Sequence, residues 1–250
     1  MPQTLSVQRI HPLGWALVGI RLFLMLLSLV ICAPLHILWR LVGAGRWWPR
    51  VFLSSIGAIA GLRVHVEGRP ARGALLLANH VSWLDIPALA NATGTAFVAH
   101  DGLAQFPFLK WLCEMNDTVF IARHDRASIA AQVEQVRQAM AARGSLTLFP
   151  EGTTSDGSGL LPFKSSLLSA TEPLPAGASV QPVLLHYSES ARIAWVGDEP
   201  GMDNFLRILA RTRPIHLSLR FLPTLEGADL AGRKAISAAA QSALLRAFVT

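Results

Sequence analysis

Residues 62–250 predict an α/β fold: a mainly parallel sheet flanked by helices, preceded over residues 1–61 by a membrane-anchoring helix or helical hairpin. Three observations carry this. Short apolar runs alternate with stretches of helical periodicity after residue 62, which is the pattern of strands joined by crossover helices. Several of the apolar runs end abruptly in polar, chemically capable residues, as strands do at the carboxyl edge of such a sheet. Residues 13–39, by contrast, are almost continuously apolar.

In chain order, residues 13–39 form the first apolar stretch, interrupted by Arg21, and the 18 residues 22–39 contain no Asp, Glu, Lys or Arg. At the helical rise this length roughly spans a hydrocarbon core about 30 Å thick. Residues 31–34, Ile-Cys-Ala-Pro, make a poor cleavage site, which argues against a signal peptide. Arg40, Arg46 and Arg50 follow at once, with Trp39, Trp47 and Trp48 as interfacial aromatics, so the positive-inside rule places the rest of the chain in the cytoplasm. Pro34 would kink a helix, and a hairpin with residues 51–62 as its second arm is the alternative to a span. Beyond this segment, strands are predicted near 62–66, 74–78, 95–98, 118–122, 145–149, 179–185 and 215–222. Helices are predicted near 86–91, 106–114, 129–143, 164–170, 202–211 and 229–248, the last packing on the sheet.

Composition narrows the function. Charged residues make up only 15% of the chain and apolar ones 52%, so part of it meets lipid. The net charge of +6 calls for an acidic partner, but there is no long Lys/Arg stripe and a single tyrosine, so an anionic membrane surface fits better than nucleic acid. Cys32 and Cys113 lie in apolar stretches and suggest no disulfide, and no Cys/His cluster has metal-ligand spacing.

Three stretches carry chemistry. In the first, Leu75–Ala78 leads into Asn79-His80, and Asp85 follows five residues after the histidine. A histidine takes a proton near neutral pH when a carboxylate fixes its tautomer and stabilises its cation. Five is the wrong separation for one helix face, so His80 belongs on the turn after the strand and Asp85 in the first turn of the next helix. The plainer alternative is a partly exposed loop histidine. In the second stretch, Val119-Phe120-Ile121 ends in Ala122-Arg123, and arginine's planar fork suits a phosphate, although solvent and Asp125 would equally satisfy Arg123. The third, Leu146-Thr147-Leu148-Phe149-Pro150, runs into Glu151-Gly152-Thr153-Thr154, with Lys164 beyond Leu161-Pro162-Phe163. A glycine and hydroxyls allow close backbone approach to a head group, Glu151 can accept from a hydroxyl or hold an arginine, and Lys164 can reach an anion. Residues 155–159 read as ordinary turn residues, and Ser82 as a helix cap. No G-x-S-x-G elbow or P-loop is present.

Together the three stretches resemble the lysophosphatidate (1-acylglycerol-3-phosphate) acyltransferase family. Asn79-His80-(x4)-Asp85 matches its catalytic HX4D motif, Phe120-x-x-Arg123 its second, Phe149-Pro150-Glu151-Gly152-Thr153 its third, and Val180-Gln181-Pro182-Val183 resembles its fourth. The resemblance covers residues 60 to 190 in the family's order. It implies that His80, oriented by Asp85, is general base on a lysolipid hydroxyl, which attacks the thioester of acyl-CoA or acyl carrier protein without a cofactor. It also implies that Asn79, Arg123, Glu151, Gly152, Thr153 and Lys164 hold the substrate, on the cytoplasmic face of the inner membrane.

Two departures bear on the acceptor. Many members carry an arginine where this chain has Thr154, and an acidic residue where it has Ala122. The run from Glu151 to Gly157 and the segment Ala194-Trp195-Val196-Gly197-Asp198 look similar to the lyso-ornithine-lipid branch. A lysophospholipid acceptor is expected, with lyso-ornithine lipid as the alternative. A non-catalytic lipid-binding protein would need neither His80 nor Asp85, and a hydrolase is disfavoured by the missing elbow. No motif encodes acyl-chain length, donor choice or oligomeric state.

Overall fold

A computed structural model describes residues 10–43, 45–121, 129–175 and 177–249. Its seven strands form one sheet: β1 (Leu62–Glu67), β2 (Leu75–Ala78), β3 (Ala96–His100), β4 (Val119–Ile121), β5 (Leu146–Leu148), β6 (Val180–Tyr187) and β7 (Ile215–Phe221), in the order β1-β7-β6-β2-β5-β3-β4. All neighbours run parallel except β6 and β7. Every predicted strand is present. β2 lies between β6 and β5 and is fully buried, which is why it reads as an unbroken apolar run rather than an alternating one.

Helices cover both faces. They are α1 (Pro12–Leu41), α2 (Trp47–Ala60), α3 (Asp85–Thr93), α4 (Pro107–Met115), α5 (Ile129–Arg143), α6 (Ser190–Ile193), α7 (Gly201–Leu209) and α8 (Arg233–Val249). One core face joins Leu76 and Ala78 to Leu89, Ile208 and Leu219; the other joins Leu75 and Leu77 to Val136, Met140, Ile236 and Leu244. The expected C-terminal helix thus packs on the sheet, its first residues forming a separate 3-10 turn at Gly227–Leu230. Residues Ser165–Thr171 form a 3-10 helix where an α-helix is predicted.

The N-terminal segment is a helical hairpin of α1 and α2. Helix α1 is long and apolar enough to cross a membrane, and it continues unbroken through Pro34. It is held against the rest of the molecule along its length. A Cβ at Gly14 would lie 3.2 Å from that of Ala210. The Arg21 guanidinium donates to the carbonyls of Leu209 and Arg211, both at 2.9 Å, and so satisfies the end of α7. The hydroxyls of Ser28 and Ser55 share a 2.5 Å hydrogen bond, and Trp39 meets Trp48 edge-on. The inward stripe is Gly14, Val18, Met25, Cys32, Ala33 and His36. The outward face exposes Trp15, Phe23, Leu26, Val30, Leu38 and Leu41.

Candidate active site

The carboxyl ends of β2, β5 and β6, three adjacent strands, meet at one point. His80 leaves the end of β2, and Asp85 is the first residue of α3. The chain folds back between them, so that His80 Nδ1 and Asp85 Oδ2 stand 2.7 Å apart. The same oxygen accepts the main-chain N–H groups of Val81 (2.7 Å) and Ser82 (3.0 Å). The other, Oδ1, accepts the hydroxyl of Tyr187 at 2.6 Å. Asp85 is fully buried, and these four donors offset the cost of removing its charge from water. Burial pushes the Tyr187 hydroxyl well above its ordinary value, and the neighbouring Asp85 charge pushes the same way, so Tyr187 stays a proton donor in this pair.

The His80 ring is fixed in plane as well as in tautomer. It stacks on Phe149, with centroids 4.1 Å apart and planes inclined by 19°. With Nδ1–H directed at the carboxylate, Nε2 is the nitrogen left to take a proton, on a side chain 21% exposed. The backbone on which His80 rides is held from the opposite loop. Ser155 donates to the His80 carbonyl through both its N–H (2.7 Å) and its hydroxyl (3.1 Å), and Trp195 N–H donates to the Val81 carbonyl at 3.0 Å. Ser155 is therefore a buried strut rather than the plain turn residue its neighbourhood suggests. Gly157 closes the loop at φ +70°, where a Cβ would lie 2.7 Å from that of Ser190. Ser82 Oγ makes only a long contact, 3.4 Å, with the Leu84 N–H.

The structure gives Asn79 a task other than the substrate contact expected of it. It is fully buried, and its amide donates to the Leu185 carbonyl (2.9 Å) and accepts the Leu185 N–H (2.8 Å). The side chain takes the place of a ladder rung, extending the β2–β6 pairing by one step just before His80. Arg123 lies outside the described residues.

Glu151 is also fully buried, so its carboxyl faces the interior, and a direct head-group contact by this residue does not fit. Burial pushes it up to about 8; the nearby N–H groups of His80 and Leu161 oppose this, and the Asp85 charge adds to it. Neither carboxyl oxygen has a well-formed hydrogen bond among the described residues. Gly152 turns the chain at φ +73°, with Lys164 Nζ 3.4 Å from where its Cβ would stand. Thr153 and Lys164 are exposed and Gly152 is half-buried, so these three residues make the outward surface of the loop after β5. Thr154 donates its hydroxyl to the Trp195 carbonyl.

Tyr187 escapes any local reading. It follows Asp85 by 102 residues, and only the pairing of β2 with β6 brings it to the carboxylate. Its one sequence signal is a polar aromatic hydroxyl at the end of an apolar strand.

Comparison with known proteins agrees with this fold. A family model described as Acyltransferase matches residues 62–186. The chain is 34% identical over 241 residues to the lyso-ornithine lipid O-acyltransferase of Rhodobacter capsulatus, covering 88% of this chain and 86% of that one. It is 39% identical over 136 residues to the 1-acyl-sn-glycerol-3-phosphate acyltransferase of Neisseria gonorrhoeae, covering 52% of each. The solved structure of the 1-acyl-sn-glycerophosphate acyltransferase PlsC from Thermotoga maritima shares the fold, with a TM-score of 0.67 over 94% of this chain and 95% of that one at 19% identity. The chain belongs to the acyltransferase family whose members acylate lysolipids, and it is an acyltransferase acting on lipid.

Proposed function

We propose that this enzyme moves a fatty acyl group from a thioester, acyl-CoA or acyl carrier protein, to the free hydroxyl of lyso-ornithine lipid, with His80 as general base. Nε2 takes the hydroxyl proton as the oxygen attacks the thioester carbonyl, and Asp85 stabilises the imidazolium that forms. The thiolate leaves and recovers the proton from Nε2, so no acyl-enzyme and no cofactor are needed. The 2.7 Å contact between Nδ1 and Asp85 is the observation that supports this chemistry.

The choice of acceptor rests on Thr154. Its hydroxyl ties the loop after β5 to Trp195, so the two segments that resemble the lyso-ornithine-lipid branch form one surface. A threonine held in this way offers no bidentate phosphate contact where many relatives carry arginine. Relatives named for lyso-ornithine lipid also match along most of this chain. The second reading is lysophosphatidate as acceptor, favoured by the higher identity of the Neisseria proteins over about half the chain. An acyl-transfer assay in detergent, offering each acceptor with labelled acyl-CoA or acyl carrier protein, decides between them. Transfer to lysophosphatidate alone would overturn the first reading.

The enzyme reaches its substrate at the membrane. We read α1, pinned to the domain by Gly14 and Arg21 and to α2 by Ser28 and Trp39, as lying in one leaflet with its apolar face outward, on the cytoplasmic side of the inner membrane.

A further inference from the structure

A second polar site stands apart from His80, where the α1–α2 hairpin meets the far end of α3. It is a cavity of ≈ 600 Å³ lined by His36 and Arg40 of α1, by Arg46, Trp47 and Arg50 at the start of α2, and by Asp117. Three features make it an anion site. Arginines outnumber carboxylates there by three to one, and the single aspartate stands 3.7 Å from Arg46. Helix α2 begins at the cavity, and its N-cap residue, Arg46, places no side-chain cap on the first N–H groups among the described residues, so the positive end of the helix faces the cavity. His36 is 3% exposed, and both its ring nitrogens are buried without a hydrogen-bond partner among the described residues. A buried imidazole in that state costs free energy until something in the cavity bonds to it.

The surroundings indicate the ligand. Arg50 is held in place by the Asn91 carbonyl, to which Nε and Nη2 donate. Arg40 is exposed at the rim. Next to it, α1 exposes Ile37, Leu38, Trp39 and Leu41, the capping residue Val42 is exposed beyond them, and α2 exposes Trp47. A cationic cavity that opens beside an apolar face with tryptophans at its edge suits a phosphate whose attached chains lie along that face. We propose that this cavity binds the head-group phosphate of an anionic membrane phospholipid, which is neither acyl donor nor acceptor, and so fixes the depth and orientation of the enzyme at the bilayer.

The test uses the full chain in a neutral detergent, mixed with phosphatidylglycerol or phosphatidylcholine, with retained lipid counted by native mass spectrometry. One phosphatidylglycerol per chain is expected, held about tenfold more strongly than phosphatidylcholine. Arg40→Gln and, with the ring volume kept, His36→Phe should each lower retention about tenfold, somewhat more than the effect of one surface charge. Arg63→Gln, at an exposed arginine elsewhere on the domain, should stay within about twofold, as should His80→Ala, which keeps this result independent of the proposed reaction. Equal loss in Arg63→Gln would mean diffuse surface charge and overturn the site. So would equal retention of phosphatidylcholine, or an Arg40→Gln variant that binds as the wild type does. Displacement of the lipid by glycerol phosphate at matched concentration would overturn the lipid assignment in favour of a free phosphate ester.

Discussion

The two halves of the active site are built by opposite rules. On the β6 side, Asp85, Tyr187 and Asn79 are buried, and each named polar contact is short and paired. On the β5 side, Thr153 and Lys164 face outward, and the Glu151 carboxyl is buried without a well-aligned partner. The difference separates chemistry from recognition. A base must be oriented before the substrate arrives, because reorganisation during reaction would raise the barrier. A binding wall can leave polar side chains such as Thr153 and Lys164 facing outward, since they gain partners only when the ligand is present.

Breaking the saturated half should have the largest effect. His80→Ala should lower kcat by on the order of 10²–10⁴ while lysolipid still binds, measured by transfer assay and equilibrium binding. Next comes the buried acid of the open half. The folded chain holds a proton on Glu151 that the unfolded chain releases near 4.5, so stability should fall as pH rises from about 4.5 to about 8. Glu151→Gln should flatten that fall by roughly a few kcal/mol, read from unfolding midpoints across the range. Tyr187→Phe removes one charge-assisted hydrogen bond from Asp85 and should lower kcat about tenfold with KM unchanged. The smallest effect is expected at the edge of the open half: Thr154→Val frees the Trp195 carbonyl and should shift acceptor preference by only about two- to fivefold. A Tyr187→Phe enzyme with raised KM and unaltered kcat would erase the division between the halves.

Much of this was legible in the chain. All seven strands stand out because each is a short apolar run closed by polar or turn residues, and the His80–Asp85 pair follows from a spacing that only a turn into a helix can satisfy. Other features depend on which strands lie side by side. Nothing near residue 187 announces that β6 will run next to β2, so the tyrosine on Asp85 is invisible until the sheet is assembled. Asn79 misleads for the same reason: its position before the histidine suggests a ligand, whereas its partner is the backbone of a strand 106 residues away. Ser155 looks like turn filler because its partner, the His80 carbonyl, is a main-chain atom that no motif specifies. The helix predicted over 164–170 tightens to a 3-10 turn, a choice between similar backbone states that local composition does not make.

The contact between Arg21 and the end of α7 bears on how the enzyme can be produced. Val18 and Met25 belong to the same core as Leu76 and Ile208, and the Arg21 guanidinium satisfies two carbonyls that would otherwise end a helix unpaired. Trimming the chain to residue 62 to obtain a detergent-free catalytic fragment would strip one wall from the core and leave those carbonyls bare. Greasiness and foldedness are inseparable here: expression trials that improve solubility by shortening the amino terminus should yield aggregates, and substitutions confined to the outward face of α1 offer the workable route.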